Sequence, residues 1–121
     1  MRLRESQRLI RLKTNIEKDL MELEKLKSEM DGLDLENTHP RILGSIFHDF
    51  YTGIERIFVR ISEELEGGLP KGEGWHKDLL DGMTLELKDI RPKVIDDDLQ
   101  DKLGEYLMVP SCLQERLWVC A

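Results

Sequence analysis

Three histidines, His39, His48 and His76, are the residues best suited by type to move protons or bind a metal. Neither His48 nor His76 has a second histidine or a carboxylate at a spacing that builds a metal site, so no metal ligand is assigned. His39 stands at a helix entry. His48, just before Asp49, reads as a polar residue at the border of a core rather than as a catalytic base. The run Asp96-Asp97-Asp98 would hold a cation only if its side chains converged. Successive residues fan around a helix, so the run reads as a helix cap instead. Phe47, Phe50, Tyr51 and Phe58 have the ring types to stack on bases, yet their spacing of three and four predicts core. Arg41, Arg56 and Arg60 are candidates for a basic patch, but surface arginines on helices are commonplace and none receives a role. Cys112 and Cys120 lack a metal-ligand spacing and read as free thiols in a reducing compartment. There is no glycine-rich phosphate loop, no GxSxG elbow and no HExxH. The residues by themselves thus give no catalytic, cofactor-binding or metal site.

The elements that carry these residues are helical. From Leu9 the apolar positions Leu12, Ile16, Leu20, Leu23, Leu26 and Met30 follow at three and four, predicting one face of a long helix that Gly32 stops. Arg11, Lys18, Glu22, Lys25 and Glu29 take the opposite, solvated face. Thr38-His39-Pro40 opens a second helix, with Thr38 as cap and Pro40 in the first turn. Its stripe is Leu43, Phe47, Phe50, Ile54, Ile57, Ile61 and Leu65, broadened by Ile46, Tyr51 and Phe58, which should make it central. Gly67-Gly68, Leu69-Pro70 and Gly72 form the clearest loop. A third helix is predicted over 75–87, with Trp75, Leu79, Leu80 and Met83 facing inward despite Gly82. Asp89-Ile90-Arg91-Pro92 interrupts it. A fourth helix follows the acidic run, with the stripe Leu99, Leu103, Tyr106 and Leu107.

Short connections between four helices predict an all-α, antiparallel four-helix bundle. The 121 residues, 40% of them hydrophobic, suit one domain with its own core. Charged residues make up 36% against 6% aromatics, as expected of amphipathic helices with solvated outer faces. A net charge of −7 opposes any polyanion that does not meet a local basic patch. No apolar run reaches the ~18–20 residues of a membrane span, and MRLRESQRL lacks a signal-peptide core. A cytoplasmic protein is expected.

The stretch ILGSIFHDFYTGIERIFVRISEELEGGLPKGEGWHKDLLDGM resembles the HepT-like family of the HEPN superfamily in order and wording. The likeness spans about 9–108. It includes the long first helix, the YxxxExIF-like core at Tyr51-Thr-Gly-Ile-Glu55-Arg-Ile-Phe58, the WHxxLL segment at Trp75 and the IRP turn at Ile90. The resemblance implies a HEPN-like helical bundle over 1–108 and a homodimer. It further implies the toxin component of a type VII-like toxin–antitoxin system, an RNA endonuclease by ancestry. Its partner would be a MntA-like nucleotidyltransferase antitoxin, reported in this family type to AMPylate a motif tyrosine.

The family's proposed chemistry rests on an Arg-x4-His-x-Tyr motif on the last helix. The arginine neutralises a phosphodiester while the histidine handles protons at the ribose hydroxyl. After Glu105-Tyr106-Leu107-Met108 this chain instead reads VPSCLQERLWVCA, and the motif is absent. Pro110 should end the fourth helix where the family continues it, leaving an irregular, divergent tail over 109–121. Reading possible codons of the tail one nucleotide later gives phenylalanine-arginine in place of Val109-Pro110 and phenylalanine in place of Leu113. Arginine or lysine then stands in place of Gln114, and a glycine falls at the Trp118 junction. That is close to the family's Phe-Arg-x-x-Phe-Arg-x-x-Tyr-Gly-Phe ending, so a frameshift near Met108 is expected. With a CG-type codon at Arg116, the restored frame carries asparagine or serine where the family has its histidine. The expectation is therefore a truncated, inactive toxin component, with RNA binding reserved for an intact-frame form. The alternative is a non-catalytic helical interaction module that binds a nucleotidyltransferase. No catalytic residue, cofactor or metal is assigned under either.

Overall fold

The computed structural model describes the backbone of residues 2–108 and the side chains of residues 4–105. The tail over 109–121, with its stop at Pro110 and its two cysteines, lies outside the described residues, as do the side chains of Tyr106 and Leu107. Four helices follow in order: α1 (Arg2–Asp31), α2 (Pro40–Leu65), α3 (Trp75–Gly82) and α4 (Asp97–Met108). Among the described residues the only β pairing is an isolated bridge between Leu87 and Arg91. No helix among them is long and apolar enough to cross a membrane.

α1 and α2 form a long antiparallel hairpin. Contacts run in opposite senses along the two helices: Arg8 meets Glu64, Asp19 meets Arg60, and Glu22 meets Arg56. The apolar face of α1 is the one expected except at Leu9 and Leu20. Leu12 and Leu23 are buried, but Leu9 and Leu20 are 54% and 46% exposed, while Asp19 is 4% exposed. The inward positions are Leu12, Ile16, Asp19, Leu23, Leu26 and Met30. They alternate by four and three, the 3.5-residue seam of two helices that supercoil. Leu20 lies one residue, about 100° around the helix, beyond that seam. Apolar periodicity alone cannot see a carboxylate buried in the seam by a partner on the other helix.

The cap of α2 also differs from expectation. Thr38 Oγ1 donates to the Asp34 carbonyl, which commits it to the inter-helix turn. His39 is the N-cap instead, with φ −61° and ψ 136°, and its Nδ1 accepts from the Arg41 N–H at 3.1 Å. The residue before a proline is driven toward this extended conformation, which is also that of an N-cap. Ile57, Phe58 and Ile61 on the α2 stripe are buried, whereas Phe47 is 45% exposed and so is not core as expected. Gly67 and Gly68 follow the helix with φ 82° and 148°. There the Gly68 N–H and the Ser62 hydroxyl close the end reciprocally on each other's carbonyls.

α3 stops at Gly82 rather than near Leu87. The reason lies downstream, in Arg91. Its guanidinium takes the Gly82 and Leu85 carbonyls at 2.9 and 2.8 Å, acceptors that a continuing helix would use itself. Arg91 Nε also donates to Glu66 at 2.8 Å, tying the loop to the end of α2. Trp75 is partly buried, and Leu79, Leu80 and Met83 face inward as expected. α4 begins as the acidic run implies, with Asp96 Oδ1 accepting from the Leu99 N–H at 2.8 Å. Leu103 is buried, but Leu99 is exposed. Leu23, Ile57, Phe58, Ile61, Leu79, Leu80, Met83, Ile95 and Leu103 form one core to which all four helices contribute.

Candidate functional site

Two charged clusters and one cleft have the residue types for function. The first cluster joins α2 to α3. Glu55 lies in the YxxxExIF-like wording and His76 in the WHxxLL wording, and they meet with Nδ1 and Oε2 at 2.8 Å. The indole of Trp75 stacks on the imidazole at a centroid distance of 3.7 Å. His76 therefore does have a carboxylate, one supplied from another helix and invisible to local spacing. With Nδ1 turned to Glu55, Nε2 is the ring nitrogen left for other partners, and the side chain is 46% exposed. Such a carboxylate-oriented imidazole suits a base or a ligand, provided a nucleophile or an anion-stabilising group stands within reach. The contacts here are instead the carboxylate and an indole, and together they pin the first turn of α3 to α2.

The second cluster is the α1–α2 seam. Asp19 Oδ2 accepts from Arg60 Nε at 2.7 Å, and Arg56 approaches Glu22 at 3.7 Å. Beside it lies a cleft of about 370 Å³ between the two helices, floored by Leu23, Leu26 and Gly53. Its rim mixes Glu22, Glu29 and Asp49 with Lys25 and Arg56. The cleft is narrow because Gly53 lets the helices close in: a Cβ there would stand 2.7 Å from Leu23 Cδ2. Among the described residues no group of three histidine, cysteine or carboxylate side chains could hold a metal ion.

The other residues singled out in the sequence disperse. His39 is the α2 cap, and His48 is half-buried on that helix, at the edge of the core. Arg56 and Arg60 are both turned to carboxylates of α1, while Arg41 sits at the start of α2. Fifteen helical residues, or about 22 Å, separate Arg41 from Arg56, so the three arginines make no single patch. Sequence reading missed Asp19, Glu55 and Arg91, each defined by a partner at least 21 residues away. The one local signal was their place in distinctive wording, ERIF for Glu55 and IRP for Arg91.

A family model described as HepT-like protein matches residues 42–109, more than half of the chain. That span covers all but the first two residues of α2, and all of α3 and α4, with the Glu55–His76 and Arg91–Glu66 ties. No curated protein and no solved structure matches.

Proposed function

Because this chain belongs to the HepT-like family, we propose that it is the toxin-side component of a type VII-like toxin–antitoxin pair, descended from RNA endonucleases but without RNA cleavage in its present sequence. Its partner is a nucleotidyltransferase antitoxin, and the pair works in the cytoplasm. The observation that carries this reading is the use the structure makes of the family wording. Glu55, His76 and Arg91 are spent on holding α3 and the following loop against α2, so the matched residues are a scaffold. A fold can outlast the chemistry it once carried. The Arg-x4-His-x-Tyr motif that would supply that chemistry is not in the sequence.

The protein acts by binding, as a homodimer. The exposed pairs Leu9–Ile10 and Leu20–Met21, three turns apart on the outer side of α1, favour self-association. The test is to purify the chain with and without a nucleotidyltransferase encoded beside it, then assay RNA cleavage and complex formation. A stable complex, a dimer by light scattering and intact RNA are expected. RNA cleavage by the purified chain would overturn the inactive assignment, and lack of binding would overturn the partner.

A further inference from the structure

Among the described residues, the outer side of α1 is uncovered. The helix packs chiefly on α2, while Leu9 and Ile10 are 54% and 65% exposed and Leu20 and Met21 46% and 61%. Eleven residues, about three turns, separate Leu9 from Leu20 and Ile10 from Met21, so the two pairs share a face. Midway between them stand Lys13 and Glu17, both exposed and 4.0 Å apart. Ser6, Ile10, Lys13, Glu17, Leu20 and Glu24 follow at alternating intervals of four and three, and all six are exposed. That is a second seam of the kind that meets α2, set one residue, about 100°, around the helix from the first.

The pattern on this face is self-complementary. Counted from Asn15, apolar residues stand five and six positions to either side, and the opposite charges of Lys13 and Glu17 stand two positions to either side. A two-fold axis at that level, normal to the helix, sets Ile10 against Leu20, Leu9 against Met21 and Lys13 against Glu17 of a second copy. The charge along the helix favours the same antiparallel sense. Residues 4–13 hold four basic residues and one acidic, whereas residues 17–31 hold six acidic and three basic. Antiparallel overlap lays the basic part of each copy on the acidic part of the other, and parallel overlap would lay like on like. The register is fixed by the same residues. A slip of four positions brings Glu17 onto Glu17 in one direction and Lys13 onto Lys13 in the other.

We propose that two copies of the chain pair through the outer face of α1, antiparallel and centred at Asn15. Leu9, Ile10, Leu20 and Met21 form an apolar cluster at each end of the contact, and Lys13 and Glu17 of both copies alternate in sign between the clusters. This interface rests on the homodimer reading and gives it a surface, a direction and a register.

The test uses the full chain with Cys112→Ser and Cys120→Ser, so that an introduced cysteine is the only thiol. One preparation carries Ile10→Cys and another Leu20→Cys, and they are oxidised separately and after mixing. A disulfide between the two variants, and none within either alone, is expected. A disulfide needs Cα atoms within ~7 Å, whereas two copies of position 10, or of position 20, lie about 15 Å apart along this antiparallel pair. Independently, sedimentation and light scattering read the dimer of chains without introduced cysteines. Lys13→Glu or Glu17→Lys alone sets like charges across the interface and should raise the dimer Kd about tenfold, while the two changes together should restore it. Both side chains are exposed, so far-ultraviolet circular dichroism should be unchanged in all three variants. Disulfides within either cysteine variant alone, no disulfide in the mixture, or a dimer indifferent to the single reversals would overturn this interface and leave the homodimer standing on another surface. A wild-type chain that stays monomeric would overturn the homodimer itself, and the interface with it, leaving the face to a different partner.

Discussion

Asp19 and Arg60 meet across the hairpin at 2.7 Å, but the two ends are unequally buried: the Asp19 side chain is 4% exposed and that of Arg60 32%. Deleting one partner leaves the other's charge behind, so the cost should follow the burial of the group that remains. Arg60→Ala strands a carboxylate with almost no access to water, which places it in the range of about 3–5 kcal/mol for a broken buried pair. Asp19→Ala leaves a guanidinium already a third exposed and lining the same cleft as Glu63 and Glu64. It should cost about 1.5–3 kcal/mol, that of a lost charged hydrogen bond. Replacing both at once, Asp19→Leu with Arg60→Met, strands nothing and fills the seam between Ile16 and Leu23. Such replacements are neutral to stabilising by about 1–4 kcal/mol. Urea unfolding followed by far-ultraviolet circular dichroism reads all three variants. With a slope of about 1–3 kcal/mol per molar, a gap of about 2 kcal/mol between the single variants separates their midpoints by roughly 1 M. An Asp19→Ala cost equal to that of Arg60→Ala, or a double variant that loses the sum of both, would refute burial as the deciding factor.

Two glycines inside helices should respond differently. Gly53→Ala places a Cβ 2.7 Å from Leu23 Cδ2, the movable end of a buried side chain, so the shift Leu23 must make offsets a gain in helix propensity of about 1 kcal/mol and leaves little net change. Gly104→Ala meets nothing within 4 Å and should stabilise by about 0.5–1 kcal/mol, with thermal unfolding separating the two. His76→Ala removes the tie to Glu55 and the stack on Trp75. It should cost about 1 kcal/mol and speed amide exchange in α3 ahead of α1, whereas uniform exchange across both helices would argue against a local tie. Lys102 is held above its usual pKa by its hydrogen bond to Asp98, with the charge of that carboxylate as the next cause. A raised pKa adds stability below the unfolded value and loses it as pH climbs through the folded one. Because Lys102 is fully exposed, the readout is its own NMR titration, which should move down in Asp98→Asn.

Elements whose information is local were legible in the sequence. The glycine pair after α2, the proline in its first turn and the acidic start of α4 each act on their own backbone, and each lies where composition placed it. Periodicity likewise located α1, but it centred the buried face on apolar residues and so chose Leu20 over Asp19. The inward position at 19 is decided by Arg60, 41 residues later. The end of α3 was misjudged for the same reason, since Arg91 withdraws its last carbonyls from nine residues downstream. Phe47 exposes the converse limit. Its spacing makes it a member of the core stripe, but the stripe's cover depends on how far the neighbouring helices extend.

The contacts also account for why a family likeness persists without the family's motif. Glu55 and His76 lie 21 residues apart, and Arg91 and Glu66 lie 25 apart. Each pair closes a loop around the short α3, whose eight residues are too few to hold a helix by propensity alone. Losing either member would loosen α3, and with it Leu79 and Leu80, two of the most deeply buried side chains. These residues are thus constrained by folding, whatever the protein does. Among the described residues the core takes nothing beyond Leu103, so the two ties hold α3 through contacts that the end of α4 does not share.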